Sequence, residues 1–224
     1  FYFRPLSSRV RNSIAMNARL EGLSLWDRDV VRYLDSDRIP IFNPIEDFLF
    51  GLDVRWDGHD RIRELAARVP CNNRHWADLF YRWFLNMVAH WRQTDRKYAN
   101  CTVPLLVGPQ AYRKSTFCRS LLPPELQAYY TDRIDFSNKR DAEISLNRFA
   151  LINMDEFDQN RVNQQAFLKH IFQKPIVNVR RPHGTATQEM RRYASFIGTS
   201  NHKDLLTDTS GSRRYIAVSY THLR

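Results

Sequence analysis

Cysteine is scarce in this chain: three residues in 224, Cys71, Cys101 and Cys118, with neither metal-ligand spacing nor an even set for pairing. That excludes a zinc-ribbon or disulfide-framework protein and fits a reducing compartment. No apolar run approaches bilayer-spanning length and no segment has the build of a signal peptide, so the expectation is no membrane partner and a cytoplasmic location. Internal repeats and low-complexity stretches are also missing. No His/Asp/Glu cluster has the spacing of a metal-dependent nuclease. Acid is in the minority, with 24 Asp and Glu against 34 Lys and Arg, a formal charge of +10. An excess of that size favours an anionic partner such as nucleic acid, although a merely soluble basic surface has the same composition.

What the chain does contain is a short apolar run, residues 103–107, emptying into Gly108, Pro109, Gln110, Ala111, Tyr112, Arg113, Lys114, Ser115 and Thr116. The pattern is that of a phosphate loop: Gly, four residues, Gly, Lys, then Ser or Thr. Gly108, Lys114 and Ser115 stand in their places, Arg113 stands where the second glycine belongs, and Ala111 occupies another position where many such loops carry glycine. A phosphate cradle needs backbone N–H groups turned toward one point, with a helix N-terminus behind them. Lys114 would reach the terminal phosphates of a nucleotide and the Ser115 hydroxyl would ligate Mg²⁺. Glycine makes left-handed backbone and close ligand approach cheap, whereas alanine and arginine do not. The same segment would also serve as an ordinary strand-to-helix turn with an exposed Lys and Ser.

A length of 224 residues suits one domain with an extension. The first hundred residues read as helical. Helical spacing runs through 24–34, Asn43 and Pro44 form a cap and first helical position for 43–50, and 61–69 suits a short helix. Residues 75–91 carry a wide stripe of Trp76, Leu79, Phe80, Trp83, Phe84, Met87, Val88 and Trp91. Such a stripe is a core face before it is a base-stacking platform. From residue 101 onward apolar strands alternate with helical stretches, which predicts an α/β core with a mainly parallel sheet. Strands are expected at 103–107, 128–133, 149–154, 176–180, 194–199 and 214–218, with helices between 115 and 122, 139 and 146, and 163 and 172. The domain reading is therefore a helical region over 1–100, a phosphate-loop core over 101–218 truncated on its C-terminal side, and a non-native tail at 219–224. The opening Phe1, in place of Met, reads as the start of a fragment.

Three further segments carry chemistry. The apolar stretch 149–154 ends in Asp155 and Glu156. Asp155 at a strand's carboxyl end would hold Mg²⁺, directly or through water, and Glu156 would orient and polarise an attacking water. A solvated acidic turn is the plain alternative. Asn153 interrupts the apolar run, and alternation would put it on a polar face. The strand at 194–199 leads to Asn201, placed to hydrogen-bond a γ-phosphate or the lytic water, or simply to start a turn. Arg213 and Arg214 then lie on a loop entering the last strand, suited to stabilise the charge of phosphoryl transfer in a neighbouring site, or to form a basic loop. Each is weak alone, and their order in the chain is what gives them force.

With these segments in place, the sequence resembles the virulence-associated protein E (VapE-like) family of phages and mobile elements. The residues that carry the likeness run from about 38 to 218: Asn43 and Pro44, WDGHDRI at 56–62, the loop 108–116, Met154 to Glu156, RRPHG at 180–184, FIGTSN at 196–201 and TSGSRR at 209–214. The resemblance implies a P-loop NTPase core like that of AAA+ and superfamily 3 helicases, use of ATP and Mg²⁺, and a link to primase or other replication partners. It also implies a homo-oligomeric ring in which Arg213 or Arg214 serves the adjacent subunit. Arg180 and Arg181, before the family's glycine turn, would touch nucleotide or DNA, or form a basic hairpin. The function implied is an ATP-hydrolysing helicase or translocase on single-stranded or forked DNA. The alternative is a DNA-associated assembly module that binds nucleotide as a switch and unwinds nothing.

Overall fold

The structure, a computed structural model, describes residues 6–40, 42–52, 55–94, 97–155, 157, 162–179, 187–202 and 212–219. It divides into two compact units, Phe1–Asp47 and Phe48–Arg224. In the first, α1 (Ser8–Leu20) starts at Ser7, whose hydroxyl accepts from the Val10 N–H at 3.3 Å. Helix α2 (Asp27–Leu34) is held at its entry by Asp29, whose carboxylate accepts from the Trp26 N–H at 3.0 Å. These bonds satisfy N–H groups that have no partner within a helix. Helix α3 (Pro44–Phe50) begins as expected from Asn43, whose side-chain oxygen accepts from Ile45 and Glu46 N–H.

The second unit, which begins within the end of α3, continues with α4 (Arg61–Ala67), capped by Asp60, and α5 (Trp76–Arg92). The two helices are clamped by the Trp76 indole donating to Ala66 O at 2.9 Å and by Arg63, which pairs with Asp78 at 2.9 Å and lies 4.0 Å over the Tyr81 ring. The aromatic stripe is core: Trp76, Phe80, Trp83, Met87 and Trp91 are all buried. Helix α5 joins the α/β core directly, because the Trp91 indole donates to Ala150 O at 3.3 Å and Phe80 meets Phe117 at a ring separation of 6.2 Å.

The core is a five-stranded sheet in the order β2-β3-β6-β1-β7, every pairing parallel. Its strands are β1 (Val103–Val107), β2 (Tyr130–Thr131), β3 (Leu151–Met154), β6 (Ser195–Ser200) and β7 (Tyr215–Ser219). Strands covered on both faces read as unbroken buried runs, and β1, β3 and β6 are buried at every position. Asn153 is part of that run at 2% exposure, so it does not sit on a polar face. Leu105, Ile152, Met154 and Phe196 cluster with Leu146 of α7 (Lys139–Arg148) and with Leu168, Ile171 and Phe172 of α8 (Val162–Gln173). Gly198 in β6 packs closely: a Cβ there would come within 2.9 Å of Leu105 Cδ1, and the buried Leu105 side chain would have to shift.

Two expectations change. The strand foreseen at 128–133 shrinks to two residues, because Pro124–Tyr129 winds into a 3-10 turn that begins just after Pro123. The stretch foreseen at 176–180 does not enter the main sheet. It forms β4 (Ile176–Val179), which pairs antiparallel with a strand that was not foreseen, β5 (Gln188–Arg191). Among the described residues no helix is long and apolar enough to cross a membrane.

Candidate active site

In an open parallel sheet the strands' carboxyl ends leave a crevice where ligands bind. Here β1, β6 and β3 are adjacent, and each ends in the polar residues singled out by sequence. The loop leaving β1 is tied at once to β6, with Gly108 N–H donating to Ser200 O at 3.1 Å. It then turns through two left-handed residues, Ala111 at φ 69° and Arg113 at φ 57°, and enters α6 (Lys114–Ser120). These are the two positions where glycine was missed. The chain takes the left-handed backbone there without glycine, at a cost of roughly 1–2 kcal/mol per residue.

Lys114 is 8% exposed, and its ammonium donates to Gly108 O at 2.6 Å, Pro109 O at 2.8 Å and Asn201 Oδ1 at 2.8 Å. One bond thus joins the loop after β1 to the residue that follows β6. Ser115 Oγ lies 3.1 and 3.3 Å from the two carboxylate oxygens of Asp155, which follows β3. Thr199 completes the group, its hydroxyl donating to Asp155 Oδ1. Lys114, Ser115, Asp155, Thr199 and Asn201 border one cavity of about 260 Å³, which Gln110, Ala111, Tyr112, Arg113, Thr116 and Ser200 also line. Beneath it Cys118 is fully buried; desolvation, with the Asp155 charge adding to it, pushes its thiol pKa up and keeps it neutral.

The donor set can be tested against a metal. Among the described residues no group of three His, Cys, Asp or Glu side chains converges on one point. One carboxylate and one hydroxyl, Asp155 and Ser115, make no cage for a metal alone. They do suit Mg²⁺, which keeps waters and binds through one or two carboxylates together with substrate phosphates. The residues fit a cation that arrives with a nucleotide.

Arg213 and Arg214 do not join the cavity. They form a 3-10 turn, Ser212–Arg214, at the amino end of β7. Since β7 runs parallel to β1 with Val103 opposite Tyr215, that turn lies a strand's length, about 16 Å, from the end where the loop emerges. Glu156, Arg180 and Arg181 lie outside the described residues, as does 209–211. Thr199 and Ser200 line the cavity but were not named from sequence as site residues. Their only signal was their position, one and two residues before Asn201.

Comparison with known proteins agrees with this architecture. Residues 51–223, well over half of the chain, match the model of the virulence-associated protein E-like domain. Among solved structures, two A-form apo structures of the NrS-1 C-terminal region align with TM-scores of 0.52 and 0.50 at 12% and 14% identity, each over 78% of this chain. The chain spans 41% and 40% of their lengths, and likeness at that identity speaks for the fold. No curated protein matches.

Proposed function

The chain belongs to the virulence-associated protein E-like family, and from that premise we propose that it is a P-loop ATPase that hydrolyses ATP to work on DNA, as a helicase or translocase in the replication of a phage or mobile element. The observation that carries the reading is the convergence of Lys114, Ser115, Asp155 and Asn201, from three adjacent strand ends, on one cavity behind a loop with left-handed turns.

Each group has a task that follows from its chemistry. The Lys114 ammonium exchanges the loop carbonyls of Gly108 and Pro109 for phosphate oxygens of the incoming nucleotide, a stronger charge-assisted bond. Ser115 and Asp155 would hold Mg²⁺, whose contribution is to neutralise charge on the β- and γ-phosphate oxygens. Asn201, released when Lys114 turns to phosphate, offers its amide to the γ-phosphate or to the attacking water. Glu156, next to Asp155 in the chain, is proposed as the group that accepts the water's proton. Arg213 and Arg214, at the sheet end away from their own cavity, suit a neighbouring copy's nucleotide, which favours a ring. The excess of ten positive charges supports a DNA partner bound through its phosphates, with single-stranded or forked DNA the form proposed, and a primase the expected companion.

The test is phosphate release with and without single-stranded DNA, for the wild type and for Lys114→Ala. Expected are release stimulated by DNA and a drop of roughly a hundredfold or more in the variant. Equal turnover in the two proteins would remove Lys114 from catalysis. Tight nucleotide binding without release would favour the second reading, a nucleotide switch. The left-handed Ala111 and Arg113 speak for that reading, because their Cβ atoms crowd a backbone that phosphate must approach closely.

A further inference from the structure

The geometry points to Thr199 as a positioning residue for the divalent cation, acting through Asp155; this rests on the reading of Asp155 and Ser115 as the Mg²⁺ pair. Asp155 follows the last residue of β3 and is exposed to the cavity, so apart from the Ser115 hydroxyl little else holds its carboxylate in one rotamer. Thr199 is its opposite. It is 1% exposed, in the middle of the sheet, with its backbone fixed between β1, where it faces Leu106, and β3, where its neighbour Gly198 faces Met154. A β-branched side chain on such a strand has little freedom at χ1.

The proton count then assigns the bonds. A carboxylate only accepts, so the Thr199 hydroxyl is the donor to Asp155 Oδ1. Ser115 lies within 3.1 and 3.3 Å of both oxygens but has one proton, so it serves one oxygen at a time. When Ser115 turns a lone pair to the cation, that bond weakens and the Thr199 bond persists. Thr199 thereby keeps Oδ1 engaged and presents Oδ2 to the cavity. A hydroxyl that orients a ligating carboxylate contributes through metal affinity, and loss of such a partner costs roughly 10–100-fold.

The experiment measures binding of a slowly hydrolysed ATP analogue to the full chain by calorimetry, in excess EDTA and across a Mg²⁺ titration. Thr199→Val is expected to need roughly tenfold more Mg²⁺ for half-maximal tightening, with EDTA affinity close to that of the wild type. Thr199→Ser restores the wild-type curve. Thr199→Ala removes the hydroxyl with less bulk and gives the same shift where valine does not pack. Loss of affinity to the same extent in EDTA and in Mg²⁺ would assign Thr199 a merely structural part and overturn the proposal. A wild type whose affinity ignores Mg²⁺ removes the reading of Asp155 and Ser115 itself. A wild type that responds, with Thr199→Val and Thr199→Ala titrating as it does, removes Thr199 alone.

Discussion

Two buried cations in the α/β unit, Lys114 and Arg192, are held by the same kind of atom and differ in what lies beside them. Arg192 is 0% exposed; it donates to Ala194 O at 2.8 Å, Ile171 O at 3.1 Å, Phe172 O at 2.9 Å, Lys174 O at 2.7 Å and Asn100 O at 3.4 Å, and lies 5.5 Å over the Phe196 ring. Among the described residues no carboxylate is in ion-pair range of it. Burial pushes its pKa down, to about 9, which still leaves it a cation at pH 7. Ile171 and Phe172 are in the last turn of α8, whose terminal carbonyls have no partner within the helix and carry the negative end of its dipole. A rigid five-donor fork suits that many fixed acceptors. Lys114 is a compact ammonium bonded to Gly108, Pro109 and Asn201, and it borders a cavity together with Asn201. The difference between a structural cation and the working one proposed for Lys114 lies in the room beside it. Arg192 has no space for an alternative acceptor, whereas Lys114 has space for a phosphate.

The largest effect should come from breaking the enclosed member. Arg192→Met leaves several buried carbonyls without a donor, and the expected loss is roughly 3–5 kcal/mol of unfolding free energy. Lys114→Met abandons fewer acceptors, of which Asn201 borders the cavity and Pro109 is an exposed residue, so about 1 kcal/mol or less is expected, with nucleotide binding lost. Denaturant unfolding followed by tryptophan fluorescence measures both. Equal losses would end the distinction.

The same contrast governs what could be read from sequence. The strands at 103–107 and 149–154 were legible because burial on both faces forces unbroken apolar runs. Lys114, Ser115, Asp155 and Asn201 stood out because the proposed phosphate chemistry restricts residue type at fixed spacing, and the structure brings all four to one cavity. Arg192 looked like any of the chain's basic residues, since its acceptors come from Asn100, the end of α8 and the start of β6, and no local pattern records that meeting. Strand β5, Gln188–Arg191, is polar and pairs only with β4, so neither alternation nor apolarity marked it. Thr199 is an unremarkable strand residue until Asp155 is seen beside it.

The loop's own strain offers a smaller test. Arg113→Gly removes the left-handed penalty on a side chain, roughly 1–2 kcal/mol, but gives the unfolded chain more freedom, about 0.4–1 kcal/mol. A net gain on the order of 0.5 kcal/mol in thermal or denaturant unfolding is expected. A loss of stability would mean that the arginine side chain, exposed as it is, holds the loop by contacts that outweigh its backbone strain.

A third cation, Arg61, marks the solvent end of the scale and should show the smallest effect. It pairs with Asp57 at 2.7 Å and 2.5 Å, both side chains about half or more exposed. The Arg61 hydrogen bond, and after it the His59 N–H, hold the Asp57 carboxyl well below the usual carboxylate range. A folded-state pKa below the unfolded one means that the pair's contribution is complete above the unfolded value. It is lost as pH falls through the folded value, because the unfolded chain takes up the proton first. The difference in thermal midpoint between wild type and Asp57→Asn should therefore be small and constant above about pH 5, and shrink below about pH 4. High salt should shrink it too, because water and ions reach both partners. The bonds of Arg192 to neutral carbonyls are closed to solvent, so the loss in Arg192→Met should not respond to salt in this way. A salt-insensitive Asp57 pair would mean that access to solvent is not what separates the three cations.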